Sequence, residues 1–336
     1  MSNATVSVLL PVRDPAPRTF AIALKSTLRS RLPAGVDLDV VVVDHGSIVD
    51  VAGFDVCDDA RVRVVRVDRD ASFAAALDVG RAACAGEFIA RMDGDDVMHP
   101  LRLAEQRETL RSSDVAAVAT RTKVIPRAVM QMRSYVQWQN SVLSPTDHQR
   151  DAWIELPVCH PSLMFRRNVL DDVGGYRDVP WPEDYDLYLR LICAGYAVIK
   201  RPEIRHAWRQ HTGQVTRTRP ATQSRDAISR CKAHHLVRRF DLAHRRVVVV
   251  GSGREGRRMS RALREEGVRV AVFLDKDPQK IGRVCHDVVV DDASAFVGGD
   301  DDFYVGCVGT SGARGAVRGF LKDRGVVEGV DGVVTA

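Results

Sequence analysis

Cysteines are few and scattered in this sequence, and it has no long apolar run. The seven cysteines among 336 residues include no Cys-x-x-Cys pair, which argues against a disulfide framework and against a zinc knuckle. No apolar run approaches the roughly 20 residues that a membrane-spanning helix needs. Residues 1–13 lack the basic segment, apolar core and cleavage site of a secretory signal. These absences predict a cytoplasmic protein.

Positive charge is unevenly distributed along the chain. The net charge is +5, from 49 Lys and Arg against 44 Asp and Glu, but residues 200–246 alone hold thirteen basic residues and three acids. The rest of the chain therefore holds 36 basic and 41 acidic residues. The basic segment is either a solvated helical connector or a surface that meets phosphates, whether of a nucleotide, a lipid carrier or the inner face of a membrane. No nucleic-acid-binding motif accompanies it, so we expect no nucleic-acid partner.

The composition and length are those of a globular protein of about two domains. Apolar, β-branched runs predict strands at 6–10, 38–43, 62–67 and 87–92, with helical apolar spacing between them. This alternation predicts a parallel sheet covered by helices, with ligands beyond the carboxyl ends of its strands. Four candidate acids follow these runs: Asp14, Asp44, Asp93 and Asp95.

Three acids follow the fourth predicted strand, in the sequence Asp93-Gly94-Asp95-Asp96. Side chains two residues apart on a strand point the same way, so Asp93 and Asp95 can converge on a hard cation such as Mg²⁺ or Mn²⁺. A plain Asp-Gly turn without a ligand is an alternative. A calcium loop is excluded because its twelfth position is Ala104 and not Glu. An aspartyl phosphatase motif usually lies on the first strand, and here three strands precede it.

Six motifs in the same order resemble the family 2 glycosyltransferases with the GT-A fold. They are Val6–Asp14, Val41–Ser47, Ala75–Asp78 with Gly86–Asp96, His160–Ser162, Gly174–Arg177 and Glu183–Leu187. The resemblance covers residues 5–215 and implies a GT-A nucleotide-diphospho-sugar transferase domain. The sequence departs from the family at His45, where a second acid is common.

The resemblance implies binding roles for residues in these motifs. Asp44 would hydrogen-bond the base of a nucleotide. Asp95 would hold a divalent cation, manganese or magnesium, across the diphosphate, and Asp93 would contact the ribose or share the cation. His211 is the candidate third ligand, with an ordinary surface histidine as an equal alternative. The donor-binding residues implied by the resemblance are Pro11, Arg13, Asp14, Asp44, Arg91 and Asp93.

The acids of the last motif open a predicted helix. In the inverting members of the family a carboxylate deprotonates the attacking hydroxyl as a general base, and Asp184 occupies that place, next to Glu183. The alternative is that these acids only stabilise the start of the helix through its dipole. The resemblance thus predicts Asp184 and Glu183 as catalytic residues.

A second strand, turn and helix pattern begins at Arg246. A valine run leads into a glycine turn with Gly251, Gly253 and Gly256, and the strand after the next helix ends at Asp275, 19 residues after the last glycine. This spacing is typical of dinucleotide-binding folds and predicts a Rossmann-like domain. The pattern also resembles the small nucleotide-binding domains of sugar-modifying enzymes. Its ligand is a dinucleotide, another nucleotide or nucleotide-sugar, or none.

These patterns predict an α/β protein of three segments. Residues 1–215 form a GT-A glycosyltransferase domain, 216–245 a basic helical connector and 246–336 a Rossmann-like domain. The predicted reaction is metal-dependent and transfers a sugar from a nucleotide-sugar, a UDP-sugar, to a hydroxyl acceptor on a saccharide, a lipid-linked sugar or a protein, with inversion. The alternatives are an NAD(P)-dependent oxidoreductase acting through the C-terminal domain and a non-catalytic nucleotide-sugar-binding protein.

Overall fold

The computed structural model describes residues 4–126, 130–211, 220–310 and 312–336. Its contacts divide the chain into two units. The first unit consists of Met1–His148, Pro157–Val179 and Ala194–Val215, and the second of Gln149–Leu156, Pro180–Cys193 and Thr216–Ala336. The second unit thus includes residues 180–193, which the sequence-based boundary at residue 215 places in the first domain.

In the described part of the first unit, the main feature is an eight-stranded sheet in the order β3-β2-β1-β4-β7-β6-β8-β5. Its strands are β1 (Ala4–Val12), β2 (Val36–His45), β3 (Val62–Val67), β4 (Phe88–Arg91), β5 (Val97–Met98), β6 (Ala117–Ile125), β7 (Met164–Arg166) and β8 (Val198–Arg209). The strands β3, β2, β1 and β4 are parallel, whereas β7 is antiparallel to both neighbours. The strand order reverses between β1 and β4, and open α/β sheets bind ligands at such a point.

Helices accompany this sheet, and their starts and buried faces follow from the sequence. The helix α2 begins after Ser72 because that hydroxyl accepts a hydrogen bond from the Ala75 backbone N–H. Its buried face includes Leu77 and Gly80 and packs against β1 and β2. The helices are α1 (Pro17–Leu28), α2 (Phe73–Ala83), α3 (Arg102–Arg111), α4 (Met130–Ser141), α6 (Arg167–Asp172) and, shared between the two units, α5 (Pro145–Asp151).

The core of the first unit is built on β1. Every residue from 6 to 12 is buried, as expected of a parallel strand that is covered on both faces. Phe20 and Leu24 of α1 are fully buried in the same apolar cluster as Val8 and Leu10. The continuous apolar run in the sequence therefore becomes the centre of the sheet.

In the described part of the second unit, a six-stranded sheet has the order β11-β12-β10-β9-β13-β14. It is parallel except for the β11–β12 pair. The elements are α7 (Glu183–Cys193), α8 (Pro220–Gln223), α9 (Arg225–Arg239), β9 (Arg246–Val250), α10 (Arg254–Glu265), β10 (Val270–Asp275), β11 (Val284–Cys285), β12 (Val288–Asp292), β13 (Asp302–Gly306), α11 (Ala313–Asp323) and β14 (Gly332–Val334). Two α/β sheets confirm the predicted fold class.

The regular sequence patterns predict the correct elements. The four predicted strands form β1 to β4, and the predicted connector contains α9. Residues 212–219, which include the first four residues of that connector, lie outside the described residues. The stretch from residue 97 to 211, which is less regular apart from the helix predicted to begin with Glu183, forms β5 to β8 together with helices. None of the seven cysteines forms a disulfide, and no helix in the described ranges is both long and apolar enough to cross a membrane.

Gly80→Ala should destabilise the first unit. A Cβ at Gly80 would lie 2.2 Å from Val43 Cγ2 and 2.5 Å from Leu9 Cδ1, and overpacking a core costs about 1–3 kcal/mol. We therefore expect a lower midpoint of thermal unfolding, measured by circular dichroism.

The matched control is Gly315→Ala, on α11. No described atom lies within 4 Å of a Cβ added there, and alanine is favoured over glycine in a helix by roughly 1 kcal/mol. This variant should keep or raise the unfolding midpoint. Equal midpoints for the two variants would contradict the packing of α2 on the sheet.

Candidate functional site

Three parallel strands bring their acids to one edge of the first sheet. Val12, at the end of β1, lies opposite Asp44 of β2. The Asp14 backbone N–H donates a hydrogen bond of 2.9 Å to the Ser47 hydroxyl in the loop after β2. On the other side of β1, β4 leads directly into the loop that starts near Asp93. The sheet topology therefore gathers acids from three separate stretches of the chain.

Gly94 allows the loop after β4 to approach β1. A Cβ at Gly94 would lie 2.4 Å from Val12 Cγ1 and 3.4 Å from the Pro11 carbonyl oxygen. Pro11 and Val12 are buried, whereas Arg13 is exposed. Glycine between the two acids of the Asp-x-Asp sequence thus permits the end of β1 to pack against the acidic loop.

Asp44 is buried at the end of β2, and both of its carboxylate oxygens are engaged. The Ser47 N–H donates to Oδ1 at 2.8 Å, and Arg66 Nη1 donates to Oδ2 at 3.0 Å. Arg66 also donates to the Ser47 carbonyl oxygen at 2.8 Å. These bonds fix the carboxylate and the loop beside it. The predicted contact with a nucleotide base would use the remaining lone pairs of the same oxygens.

Asp14 links the loops that follow β1, β2 and β3. Its Oδ1 accepts a hydrogen bond of 2.7 Å from the Ile48 N–H, and its Oδ2 accepts one of 2.8 Å from Arg69 Nη2. The hydrogen bond from Arg69 lowers the pKa of the Asp14 carboxyl below its ordinary value. The side chain is therefore an ionised anchor for the loops around the predicted donor site.

His45 stands where the family motif commonly has a second acid, and its side chain contacts the segment before α2. Its Nε2 lies 2.8 Å from the Ala71 carbonyl oxygen, to which it donates, and its ring is 6.3 Å from the ring of Phe73. The side chain is buried. The histidine therefore ties the end of β2 to the segment that leads into α2.

The acidic loop after β4 concentrates negative charge. One carboxylate oxygen from each of Asp93, Asp95 and Asp96 lies within 4.8 Å of the others. Burial, together with the charges of Asp93 and Asp96, raises the pKa of Asp95 to about 6. Arg91 is buried and its Nη2 donates to Asp93 Oδ1 at 2.7 Å. The charges of Asp93 and Asp96 raise the pKa of Asp95 because like charges lie close together, and a bound cation would relieve this repulsion.

His211 lies against the same loop from the segment after β8. Its Nε2 is 2.6 Å from Asp95 Oδ2, and the two side chains are 44% and 29% exposed. Carboxylates suit Mg²⁺ and Mn²⁺, and imidazole is a ligand of divalent transition metals. The donor set of Asp93, Asp95 and His211 therefore fits a divalent cation. The structure places Asp93 near Asp95 and His211 against Asp95, and the role of the three residues as ligands stays a prediction.

Asp96 differs from its two neighbours because its side chain is fully buried. The Arg209 N–H donates to Oδ1 at 2.7 Å, and His206 Nε2 lies 2.8 Å from Oδ2. Both oxygens are therefore engaged inside the protein. Asp96 is thus buried, whereas the side chain of Asp95 is 29% exposed, a distinction that the sequence pattern does not make.

In the second unit, α7 begins with the predicted catalytic acids. Glu183 and Asp184 are half-buried in its first turn, and the Tyr185 N–H donates to Asp184 Oδ1 at 2.8 Å. The Tyr185 hydroxyl donates to the Ala152 carbonyl oxygen at 2.7 Å and its ring is fully buried. The helix is thus anchored by the residue next to Asp184, and the catalytic role of that carboxylate stays a prediction.

Asp186, on the same turn, is held by buried partners that the sequence analysis did not identify. Its Oδ1 accepts hydrogen bonds of 3.0 Å from both Trp181 Nε1 and His235 Nε2, and its Oδ2 accepts one of 2.8 Å from Arg190 Nε. Burial alone would raise the pKa of Asp186, but these partners outweigh it and lower the pKa. Cys231 is near enough to complete a set of metal-ligand types, yet burial raises the pKa of its thiol and keeps it protonated. The cluster is a hydrogen-bonded network that joins α7 to α9.

The predicted glycine turn forms between β9 and α10. Gly251 has a left-handed φ of 104°, and Gly253 directly precedes the helix. A Cβ at Gly256 would lie 1.9 Å from the Gly251 carbonyl oxygen. The helix therefore packs directly onto the turn, as the predicted fold requires.

Asp275, at the end of β10, accepts hydrogen bonds from the glycine turn. The Ser252 hydroxyl and N–H donate to its Oδ2 at 2.7 and 3.1 Å, and Lys280 Nζ donates at 3.1 Å. The acid in the place of a ribose-binding residue is thus engaged by its own turn. The ligand of the C-terminal glycine turn stays a prediction, and so does the oxidoreductase alternative.

Several residues of the basic segment are compensated within their own unit. Arg205 pairs with Glu105 at 2.7 Å, and Arg238 pairs with Glu266 at 2.7 Å. Lys232 is buried and donates to two backbone carbonyl oxygens. A phosphate or membrane contact of this segment stays a prediction.

Sequence analysis missed the residues that contact the acids of the site. It also did not assign a role to Asp96, although the position of Asp96 directly after the Asp-x-Asp sequence could have drawn attention to it. The others lie 22 to 110 residues from the carboxylate that they contact, and no local pattern connects them to it. These missed residues are Arg66, Arg69, His206 and His235.

The comparisons with known proteins agree on one family. The model described as glycosyl transferase family 2 matches residues 7–174. The chain is 25% identical over 158 residues to the amylovoran biosynthesis glycosyltransferase AmsE of Erwinia amylovora, covering 46% of this chain and 57% of AmsE. It is 31% identical over 119 residues to the O-antigen biosynthesis glycosyltransferase WbnJ of Escherichia coli, covering 35% of this chain and 44% of WbnJ. The chain thus spans about half the length of these curated relatives.

A solved structure supports the fold. The crystal structure of S. aureus TarS 1–349 in complex with UDP-GlcNAc has a TM-score of 0.53 at 14% identity, covering 69% of this chain and 66% of that one. At this identity the likeness concerns the fold alone. The family model, in contrast, matches half of the 336 residues, including the three strand ends and the acidic loop. The chain therefore belongs to glycosyl transferase family 2.

Proposed function

We propose that this protein is an inverting glycosyltransferase that moves a sugar from a UDP-sugar to a hydroxyl group of a growing glycan. The observation that carries the proposal is the gathering of Asp93 and Asp95 in the loop after β4, with His211 lying against Asp95. Such an edge is where open α/β sheets bind nucleotides. An excess of carboxylates there suits a diphosphate only when a cation lies between them.

Two similarities support the choice of donor and acceptor class. The relatives AmsE and WbnJ are named for amylovoran and O-antigen biosynthesis, and both names denote glycans. The TarS structure of the same fold contains UDP-GlcNAc. The acceptor is accordingly proposed to be a saccharide or a lipid-linked sugar.

Some of the proposed donor-binding residues would contact the base of the nucleotide, and others would lie near its diphosphate. Asp44 is fixed by Arg66 and the backbone of the adjacent loop, and a preorganised carboxylate of this kind recognises N–H groups of a base. Pro11 lies buried at the end of the neighbouring strand, and Arg13 is exposed and cationic next to it. Asp14 holds the loops around them through its ion pair with Arg69.

The cation would be held by Asp95 and Asp93, with His211 as a third ligand. A bound divalent cation would neutralise charge that develops on the leaving nucleoside diphosphate. Arg91 holds Asp93 by a hydrogen bond of 2.7 Å, so one of the proposed ligands is already oriented. His211 Nε2 lies 2.6 Å from Asp95 Oδ2, so the third proposed ligand is already beside the first.

Asp184 is the proposed general base, on the strength of the sequence resemblance. The acceptor oxygen forms its bond to the anomeric carbon while the bond from that carbon to the diphosphate oxygen breaks. The acceptor proton passes to the Asp184 carboxylate, and the nucleoside diphosphate leaves with the bonding electrons. One displacement of this kind inverts the configuration at the anomeric carbon.

Asp95→Ala should abolish the metal-dependent part of UDP binding while the fold is retained. We expect the affinity for Mn²⁺ to fall by at least about tenfold, because even residues that only support a metal ligand are worth roughly 10–100-fold. Isothermal titration calorimetry with UDP, with and without Mn²⁺, measures this effect.

Asp37→Ala is the control, since Asp37 is exposed at the other end of β2. This variant should bind UDP with the metal dependence of the wild type. If Asp95→Ala bound UDP with unchanged metal dependence, Asp95 would not be a ligand.

Asp184→Asn should lower turnover by roughly 10²–10⁴-fold, the usual contribution of a general base. The amide keeps the size of the side chain but cannot take the proton. Donor affinity should change little, because the proposed donor-binding residues lie elsewhere in the sequence. Steady-state rates with a UDP-sugar, together with calorimetric UDP affinity, separate the two effects.

Glu183→Gln is the companion variant. Retained turnover in Asp184→Asn with loss of turnover in Glu183→Gln would reassign the base to Glu183. Normal turnover in both variants would argue against a carboxylate base on α7, and hence against the proposed mechanism.

A further inference from the structure

Three ionisable side chains with no proposed chemical step are buried beneath the acidic loop. Arg102, on α3, and Asp96 have no exposed surface, and His206, on β8, is 1% exposed. Burying such groups is unfavourable unless partners satisfy them. These three satisfy one another, and we call Arg102, His206 and Asp96 the buried polar chain.

The arginine determines the direction of the hydrogen bonds in the buried polar chain. Arg102 Nη1 lies 3.4 Å from His206 Nδ1, and because a guanidinium only donates, Nδ1 accepts. The imidazole is therefore neutral and carries its hydrogen on Nε2, which donates to Asp96 Oδ2 at 2.8 Å. In the other tautomer, the Nδ1–H of His206 would face the N–H of Arg102, and the bare Nε2 would face the carboxylate oxygen of Asp96. Both contacts would be repulsive.

Arg102 is itself held at a fixed point. Its Nη2 donates to the carbonyl oxygens of Arg91 at 2.8 Å and of Leu163 at 3.2 Å. Its Nε donates to Gln106 Oε1 at 3.0 Å. The buried polar chain therefore starts from α3 and from the backbone of β4, close to where the acidic loop begins.

The Asp96 end of the buried polar chain connects two proposed ligands from distant parts of the sequence. Asp96 Oδ1 accepts a hydrogen bond of 2.7 Å from the Arg209 N–H, and Arg209 Nε donates to the Asp95 carbonyl oxygen at 2.6 Å. His211 follows two residues later and lies 2.6 Å from Asp95 Oδ2. Asp96 thus joins the acidic loop to the strand end that carries His211.

We propose that the buried polar chain sets the affinity for the divalent cation by holding Asp95 and His211 together, without contacting the cation itself. The two ligands come from positions 116 residues apart. The inference rests on the proposed cation site and assigns Asp96, the third acid of the motif, as a positioning residue.

The position of β8 does not depend on the buried polar chain alone. β8 pairs with β6, with His206 opposite Thr122 and Arg209 opposite Ile125. Loss of the His206 side chain therefore leaves the strand pairing in place. What changes is the link between the strand end and the acidic loop, so the expected effect is on cation affinity.

Electron paramagnetic resonance of free Mn²⁺, titrated with the full chain in the absence of nucleotide, tests the proposal. His206→Leu should weaken Mn²⁺ binding by roughly 10–100-fold, as is typical for residues that orient metal ligands. Asp96→Asn should act alike, because in either orientation its NH2 group would face a donor, the N–H of His206 or that of Arg209. His206→Gln keeps an N–H donor towards Asp96 and should retain most of the affinity.

Thr122→Val is the matched control, because it changes a buried side chain opposite His206 on the paired strand. It should bind Mn²⁺ as the wild type does, and thermal melts of every variant monitor folding. Wild-type affinity in His206→Leu and Asp96→Asn would overturn the proposal. So would loss of binding in Asp96→Asn with none in His206→Leu, since Asp96 would then be a ligand.

The wild type and Asp95→Ala distinguish this failure from that of the proposed function. If these two proteins bound Mn²⁺ equally, the cation site itself would be wrong and both proposals would fall. If Asp95→Ala lost binding while His206→Leu did not, the cation site would stand and the positioning role alone would be refuted.

Discussion

The electrostatic repulsion among the carboxylates after β4 is the constraint on which the site in the first unit depends. Three acids lie within 4.8 Å of one another, and each is treated differently by its surroundings. Asp93 is paired with Arg91, and Asp96 is buried and satisfied by neutral hydrogen-bond donors. Asp95 has His211 and a pKa raised to about 6. Adjacent, chemically identical side chains thus acquire separate roles because their compensation differs.

The second unit also buries a carboxylate, but there the surroundings lower its pKa. Asp186 is a buried carboxylate on α7, and donors from the same helix and from α9 lower its pKa. A buried charge with good partners specifies which elements pack together more than it adds stability. The acids that open α7 are therefore attached to the element that begins the C-terminal part of the chain.

The family relationship and the full architecture cover different parts of the chain. The family model ends at residue 174, whereas the second sheet begins at residue 246. In that sheet the glycine turn has the geometry of a nucleotide-binding fold, but Asp275 hydrogen-bonds Ser252 and Lys280. The ligand of this turn stays a prediction. The proposal of glycosyl transfer rests on the matched family region and on the acids of α7.

The sequence by itself determined the elements with a strong local pattern, including β1 to β4, α7 and the glycine turn before α10. It also determined the acids at the strand ends, because apolar periodicity and the residues that interrupt it are local properties. Only the tertiary structure decided which acids are exposed and which are buried. Asp95 and Asp96 are neighbours in sequence, but Asp96 is separated from its partner His206 by 110 residues. Hydrogen bonds over such separations depend on strand order and register, and no local pattern encodes them.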